Sequence, residues 1–344
     1  MARFQNWEVR LRTGQWSTVR LPLANPRTLV GAWAAPMAVD APGPLAWWHL
    51  ASLDAPTVAV AWSLGFAWAA GVALPAWVPA LLALTAWAVY IGDRLLDARA
   101  AIRSGETHRL RERHFFHHRH RRVFGVLAVA ASCAAAWIVL LLMPAVARER
   151  NSVLGAAAAA YFSCVHSSRR VRWRLTRLCA GGWSRLLPAM LSKELLVGLL
   201  FTAGCVLPTL SRAAAAPGGP HWPLWAAAAY FAVLAWLNCH AIARWEGDGC
   251  QGAERGIAPA AGIGGGLVSW GRPFPAASLL AVGGLLGAWA LFSAAPRPAA
   301  LLAAGAASSL LLALLDRLRS RLTALALRAA ADLVLLTPLA LLWR

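Results

Sequence analysis

Trp87-Ala88-Val89-Tyr90-Ile91-Gly92-Asp93-Arg94-Leu95-Leu96-Asp97 closes the apolar stretch 76–97. Within about one helical turn the side chains change from ones that suit lipid to ones that need water or a partner. A helix needs about 20 apolar residues to cross about 30 Å of hydrocarbon. The stretch therefore reads as a membrane-spanning helix whose end carries two carboxylates. Eight further stretches have the same character: 56–75, 123–145, 152–168, 188–210, 221–243, 274–294, 298–315 and 322–343. The expected fold is all-α, a polytopic membrane domain of nine helices over 55–344. Residues 1–54 hold no apolar stretch long enough to cross and are expected to form a loosely ordered cytoplasmic extension. They also lack the short basic start followed by an apolar run that marks a cleavable signal.

Composition agrees with this division. Of the 344 residues 59% are apolar and 14% charged, against about 45–50% and about 25% in a soluble domain. Basic residues number 33 against 14 acidic, a net charge of +19. In a soluble chain that excess would suggest nucleic acid; on apolar runs with basic junctions it points to a membrane and to no nucleic-acid partner. With the N-terminus cytoplasmic, 28 of the 33 basic residues fall on the cytoplasmic side. The positive-inside bias thus supports nine spans, N-terminus in and C-terminus out, in the inner membrane if the source is bacterial. Six cysteines, among them Cys133, Cys164, Cys205 and Cys239 inside apolar stretches, show no paired spacing. That excludes a disulfide scaffold and a zinc ribbon.

The long connections 98–122, 169–187 and 244–273 all lie on the same expected side, where a site would sit. Asp93 and Asp97, four residues apart, share one helical face. Two carboxylates there repel unless a cation joins them, and Mg²⁺ takes one or two such oxygens and completes its shell with substrate phosphates. The plainer alternative is a helix end paired with Arg94 or Arg99. The sixth stretch ends similarly, in Asn238-Cys239-His240-Ala241-Ile242-Ala243-Arg244-Trp245-Glu246-Gly247-Asp248. Lys193, the single lysine, precedes Glu194 at the start of the fifth stretch. It suits a phosphate oxygen as a point charge, or else neutralises Glu194 or snorkels to the interface. Arg169 and Arg170, soon after Tyr161, are further candidates for an anion.

These residues in this order resemble the UbiA superfamily of membrane prenyltransferases, over about 56–343. The resemblance implies nine helices around a central cavity, an NxxxDxxxD motif ending the second helix and a DxxxD-type motif ending the sixth. Asp93 and Asp97 match the first motif, and Val89 stands in place of its asparagine. Ile242 is apolar in the second, whose oxygens fall to Asn238, Glu246 and Asp248. The implied activity moves an isoprenyl group from a prenyl diphosphate to an aromatic or other lipophilic acceptor. Mg²⁺ would be held by Asp93, Asp97, Glu246 and Asp248. Asp93, Asp97 and Lys193 would carry catalysis, and Tyr161, Arg169, Arg170, Lys193, Asn238 and Arg244 would hold substrate. Membrane lipids are the other expected partner.

Remaining features read more plainly. His114, His117, His118 and His120 lie in a stretch dense in arginine, which repels a dication. That stretch suits a cap helix, or a surface for anionic headgroups, better than zinc. Gly262-Ile263-Gly264-Gly265-Gly266 lacks a preceding strand and the third glycine of a nucleotide loop. Asp332, four residues after Arg328, is expected to pair with it. A non-catalytic protein of the same fold that binds a lipid or partner is the alternative function, motivated by Val89 and the altered second motif. A secondary transporter using Asp332 and Glu194 is a third, and the absence of two similar halves speaks against it.

Overall fold

A computed structural model describes residues 4–10, 16–22, 43–104, 112–166, 193–214, 222–254 and 273–343. In chain order the elements are β1 (Phe4–Arg10), β2 (Trp16–Pro22), α1 (Pro44–Leu50), α2 (Asp54–Ala70) and α3 (Trp77–Ser104). They continue with α4 (Glu112–Arg119), α5 (Arg121–Trp137), α6 (Ala145–His166), α7 (Lys193–Ala213) and α8 (Trp222–Glu254). The last are α9 (Pro273–Leu291), α10 (Pro296–Leu318), α11 (Ala324–Leu333) and α12 (Leu339–Leu342). A π-helical turn, Ile138–Leu142, extends α5.

Each apolar stretch of the sequence overlaps a helix among the described residues. Among the described residues seven helical segments are long and apolar enough to cross a membrane, and up to eight if α1 and α2, bent by 91°, form one span. The chain is thus a multi-pass helical protein by length and composition. The stretch 152–168 falls on α6, which is helical but outside those seven; Arg148, Glu149 and Arg150 in its first two turns dilute its apolar character. Exposed Val126, Leu127, Leu279, Leu286 and Trp289 on α5 and α9 are what lipid would cover.

Residues 1–54 differ from expectation in two ways. β1 and β2 pair as an antiparallel hairpin in the register Phe4↔Pro22 to Arg10↔Trp16, where irregular chain was expected. Residues 44–54 pack into the helical body, although the sequence reading placed them in the extension: His49, Leu50, Ser52 and Asp54 are buried. Pro44 at the first turn of α1 starts the helix without wasting a backbone donor. α1 is too short to show up as a spanning run, which is why its sequence gave no signal.

The main core gathers α2, α7, α8 and α10 around Trp62, Phe66 and Phe231. The Trp62 and Phe231 rings stack at 3.9 Å, and Trp62 Nε1 donates to the Leu335 carbonyl. A tryptophan this deep needs such a partner for its one donor. A second cluster packs α8, α10 and α11 around Leu237, Ala241, Leu312 and Leu327. At its edge Asp316 accepts from Trp245 Nε1 at 2.6 Å and from the Phe274 backbone N–H at 3.2 Å, tying α8, α9 and α10 together.

Candidate functional site

Two groups of polar side chains meet at α3. Positions 93 and 97 form one strip of that helix, and 90 and 94 the next, about 100° around it.

The first group is acidic. Gly92 has no side chain, and a Cβ there would come within 3.3 Å of Phe162 Cζ, so α6 approaches α3 beside Asp93. At Gly198 a Cβ would lie 2.8 Å from the Trp236 backbone nitrogen. α7 and α8 therefore touch there backbone to backbone, one turn from Glu194 on the first and one turn from His240 on the second. The Tyr161 hydroxyl is buried with no hydrogen-bond partner, in the electrostatic field of Asp93, Cys239, Glu194 and Asp97. His240 stacks on Trp236, has an unpartnered buried Nε2 and feels the charges of Arg244 and Glu194. Asp93, Asp97 and Glu194 thus share an electrostatic influence on Tyr161, with Cys239 of α8 beside them; Asn238, expected here as a substrate ligand, turns its amide to Asp332 instead. Lys193 opens α7 and Asp248 lies within α8, but their side chains, like Arg169 and Arg170, lie outside the described residues.

The second group is a buried ionic network, and the sequence reading missed most of it. Asp54, fully buried at the start of α2, accepts from His49 Nδ1 at 2.6 Å, from its neighbour's backbone N–H at Ala55 and from Arg94 Nη2 at 3.5 Å. The helix N-terminus adds favourable field to that carboxylate. Arg94 Nη1 donates to the His49 carbonyl at 3.1 Å and to Ser52 Oγ. The plainer alternative paired Asp93 and Asp97 with Arg94 or Arg99, but the Arg94 guanidinium bonds Asp54. Asp332 accepts from Asn238 Nδ2 at 3.2 Å and lies against Asp54, their ligand atoms within 4.8 Å of one another together with those of His49. Among the described residues this is the one such set of three metal-capable side chains, so neither Asp93 and Asp97 with Glu246 or Glu194 nor the α4 histidines make another.

Glu246 corrects two expectations at once. Its Oε1 accepts from Arg328 Nη1 at 2.6 Å and from Arg113 Nη1 at 2.8 Å. Arg328 therefore reaches across to Glu246 and not simply to Asp332, its neighbour four residues on. The carboxylate sits between two guanidinia, which repel a dication. A small, partly open pocket of about 40 Å³ lined by Ile242, Trp245, Glu246, Leu327 and Arg328 adjoins the pair. Glu246→Gln keeps the shape but strips the charge from both hydrogen bonds. It is expected to lower stability by about 1.5–3 kcal/mol, toward the lower end because the side chain is a quarter exposed. Thermal unfolding in detergent reads this; no change would mean that the clamp contributes nothing.

α4 seals the network. Arg113 faces Glu246, Phe116 meets the Trp47 ring edge-on at 5.8 Å, and His117 Nε2 lies 3.1 Å from Ser52 Oγ. Burial, reinforced by the charges of Arg113, Arg328 and Arg94, pushes the His114 pKa down to about 3. Burial likewise pushes His117 down to about 4, and both are neutral at pH 7. Arg119, His120, Arg121 and Arg122 point outward at the end of α4 and the start of α5, as a cap helix with a basic outer face should.

Fold and site together define a multi-pass helical membrane protein with a buried ionic network beside two partly exposed carboxylates on α3. No family model, no curated protein and no solved structure matches the chain.

Proposed function

We propose that this chain is a UbiA-type membrane prenyltransferase, with nine spans around a central cavity and its N-terminus cytoplasmic. It would transfer an isoprenyl group from a prenyl diphosphate to an aromatic or other lipophilic acceptor. The observation that carries the reading is the Tyr161 hydroxyl of α6, buried and without a hydrogen-bond partner among the described residues, in the electrostatic field of Asp93 and Asp97 from α3 and Glu194 from α7. Hard oxygen donors of this kind fit Mg²⁺. On this reading Asp93 and Asp97 would hold the ion together with oxygens of the diphosphate, since no third metal-capable side chain among the described residues lies with them; Glu246 does not fit, because Arg113 and Arg328 hold it. Bound there, magnesium would neutralise the charge that grows on the diphosphate as the allylic C–O bond breaks.

The chain's own residues supply the rest. Tyr161 would donate its hydroxyl to a diphosphate oxygen. Lys193, Arg169 and Arg170, from the connection between α6 and α7, would take up the departing pyrophosphate as charge-assisted donors. Arg244, close enough to act on His240, would add a further positive charge at the same helix end. The apolar helices around this place exclude water from the allylic cation.

The test is binding of a labelled prenyl diphosphate to the purified protein in detergent. Saturable binding that needs magnesium and weakens in Asp93→Asn supports the assignment. Binding that is unchanged by chelation overturns it. The clamp on Glu246 favours a second reading, a non-catalytic protein of the same fold that binds an isoprenoid lipid or a protein partner. That reading expects binding without magnesium and no turnover.

A further inference from the structure

Ser52 stands at the corner between α1 and α2 and has φ +60°, the one positive φ among the described non-glycine residues. Such backbone is uncommon for a side chain with a Cβ and clusters at functional sites. Its hydroxyl has two partners. Arg94 Nη1 donates to Oγ, and His117 Nε2 lies 3.1 Å away. His117 Nδ1 is 2.7 Å from the Arg113 carbonyl oxygen. A carbonyl only accepts, so Nδ1 carries the ring proton and Nε2 presents its lone pair to Ser52. The serine O–H therefore donates to Nε2. This is a nucleophile hydrogen-bonded to a base whose tautomer is set by a third group.

We propose that Ser52 and His117 form a nucleophile–base pair for acyl transfer from an ester of a membrane lipid. Neither residue belongs to the prenyl-transfer set, so the proposal stands or falls separately. Ser52 Oγ would attack the ester carbonyl carbon as its proton passes to His117 Nε2. The tetrahedral adduct would expel the alcohol oxygen, which takes that proton from Nε2 and leaves an acyl-Ser52. Water, deprotonated by the same nitrogen, would then release the carboxylic acid and restore the serine, so that ester and water become alcohol and acid. Burial keeps the imidazole neutral, the form a base needs. The Arg94 guanidinium, already bonded to Oγ, favours negative charge there.

The surroundings point to a lipid. Leu45, Trp47 and Leu53, on either side of Ser52, are exposed apolar residues. The exposed arginines Arg119, Arg121 and Arg122 leave α4 and begin α5, where they suit the phosphate of a headgroup. Ser52 itself is fully buried, covered by α4 through the Trp47–Phe116 contact and by the His117 and Phe124 rings, tilted at 35° with centroids 4.4 Å apart. Attack therefore requires α1 and α4 to part.

The experiment is covalent labelling of the purified full-length protein in detergent by alkyl fluorophosphonates, with the site found by peptide mass mapping. The expected result is a phosphonyl group on Ser52, absent in Ser52→Ala and in Ser52→Gly, which keeps the positive φ. His117→Gln should slow labelling by about 10²-fold. Phe116→Ala, which removes the ring against Trp47, should speed it, and a dodecyl probe should outpace an ethyl one. Circular dichroism and thermal melting confirm that each variant is folded. A folded wild-type protein that leaves Ser52 unlabelled, or a His117→Gln variant that labels at the wild-type rate, overturns the pair. Equal rates for the two probes overturn the lipid substrate.

Discussion

Asp93→Ala and Asp97→Ala are each expected to lower magnesium-dependent isoprenyl transfer by about 10²–10³-fold, the size of losing one group that stabilises developing charge. The two carboxylates share a strip of α3 and act on the same buried Tyr161 hydroxyl. A metal held there loses a ligand in either variant, so binding of magnesium should weaken together with turnover. Asp93→Asn tests charge apart from shape, because the amide keeps one oxygen but no net charge. Fold is a weak confounder, since both residues are partly exposed and outside the apolar cores. Prenyl-diphosphate turnover measured beside magnesium titration decides the matter. Full activity in both alanine variants would remove the metal from the account.

Arg94→Ala is expected to destabilise the folded protein by about 3–5 kcal/mol, the usual loss when one partner of a buried ion pair is removed. Arg94 is 2% exposed, and its guanidinium bonds Asp54, the His49 carbonyl and Ser52 Oγ at once. Without it Asp54 keeps His49 and one backbone N–H but faces Asp332, a second carboxylate within 4.8 Å. Two carboxylates with no nearby guanidinium from α3 are then left in an apolar setting, and α1, α2 and α3 lose their common tie. Arg94→Lys keeps the charge but has no planar fork to reach three partners, so it should fall between wild type and alanine. Arg122→Ala, exposed on α5, serves as control and should change stability by less than about 0.5 kcal/mol. Thermal unfolding in detergent measures all three. Equal melting of Arg94→Ala and the control would mean that Asp54 is neutral or hydrated and that the network does not hold the corner.

The helices were legible because their signal is local. Stretches such as 221–243 and 298–315 announce α8 and α10 through run length alone, and Asp93 and Asp97 through a spacing of four on one face. The acidic group was legible in part: Asp93, Asp97 and Tyr161 were chosen for their places in the chain, while Glu194 was noticed only as a foil for Lys193. The ionic network was not legible. His49, Ser52 and Asp54 precede the first long apolar stretch, and nothing nearby marks their partners. Arg94, His117, Asn238 and Asp332 lie between 40 and 94 residues from the groups they bond. Glu246 looked like a metal ligand for the same reason, since Arg113 and Arg328 are 133 and 82 residues away.

What the amino-acid order decided unaided is residence in a membrane and the positions of the long helices. In hydrocarbon a backbone must satisfy its own hydrogen bonds, and a long apolar run does so as a helix whatever surrounds it. What only the packed molecule decided is the partnership of its few charges. An ionised side chain at membrane depth takes whichever counter-charge the neighbouring helices bring within reach, and close approaches such as Gly92 on Phe162 and Gly198 on Trp236 determine which helices those are.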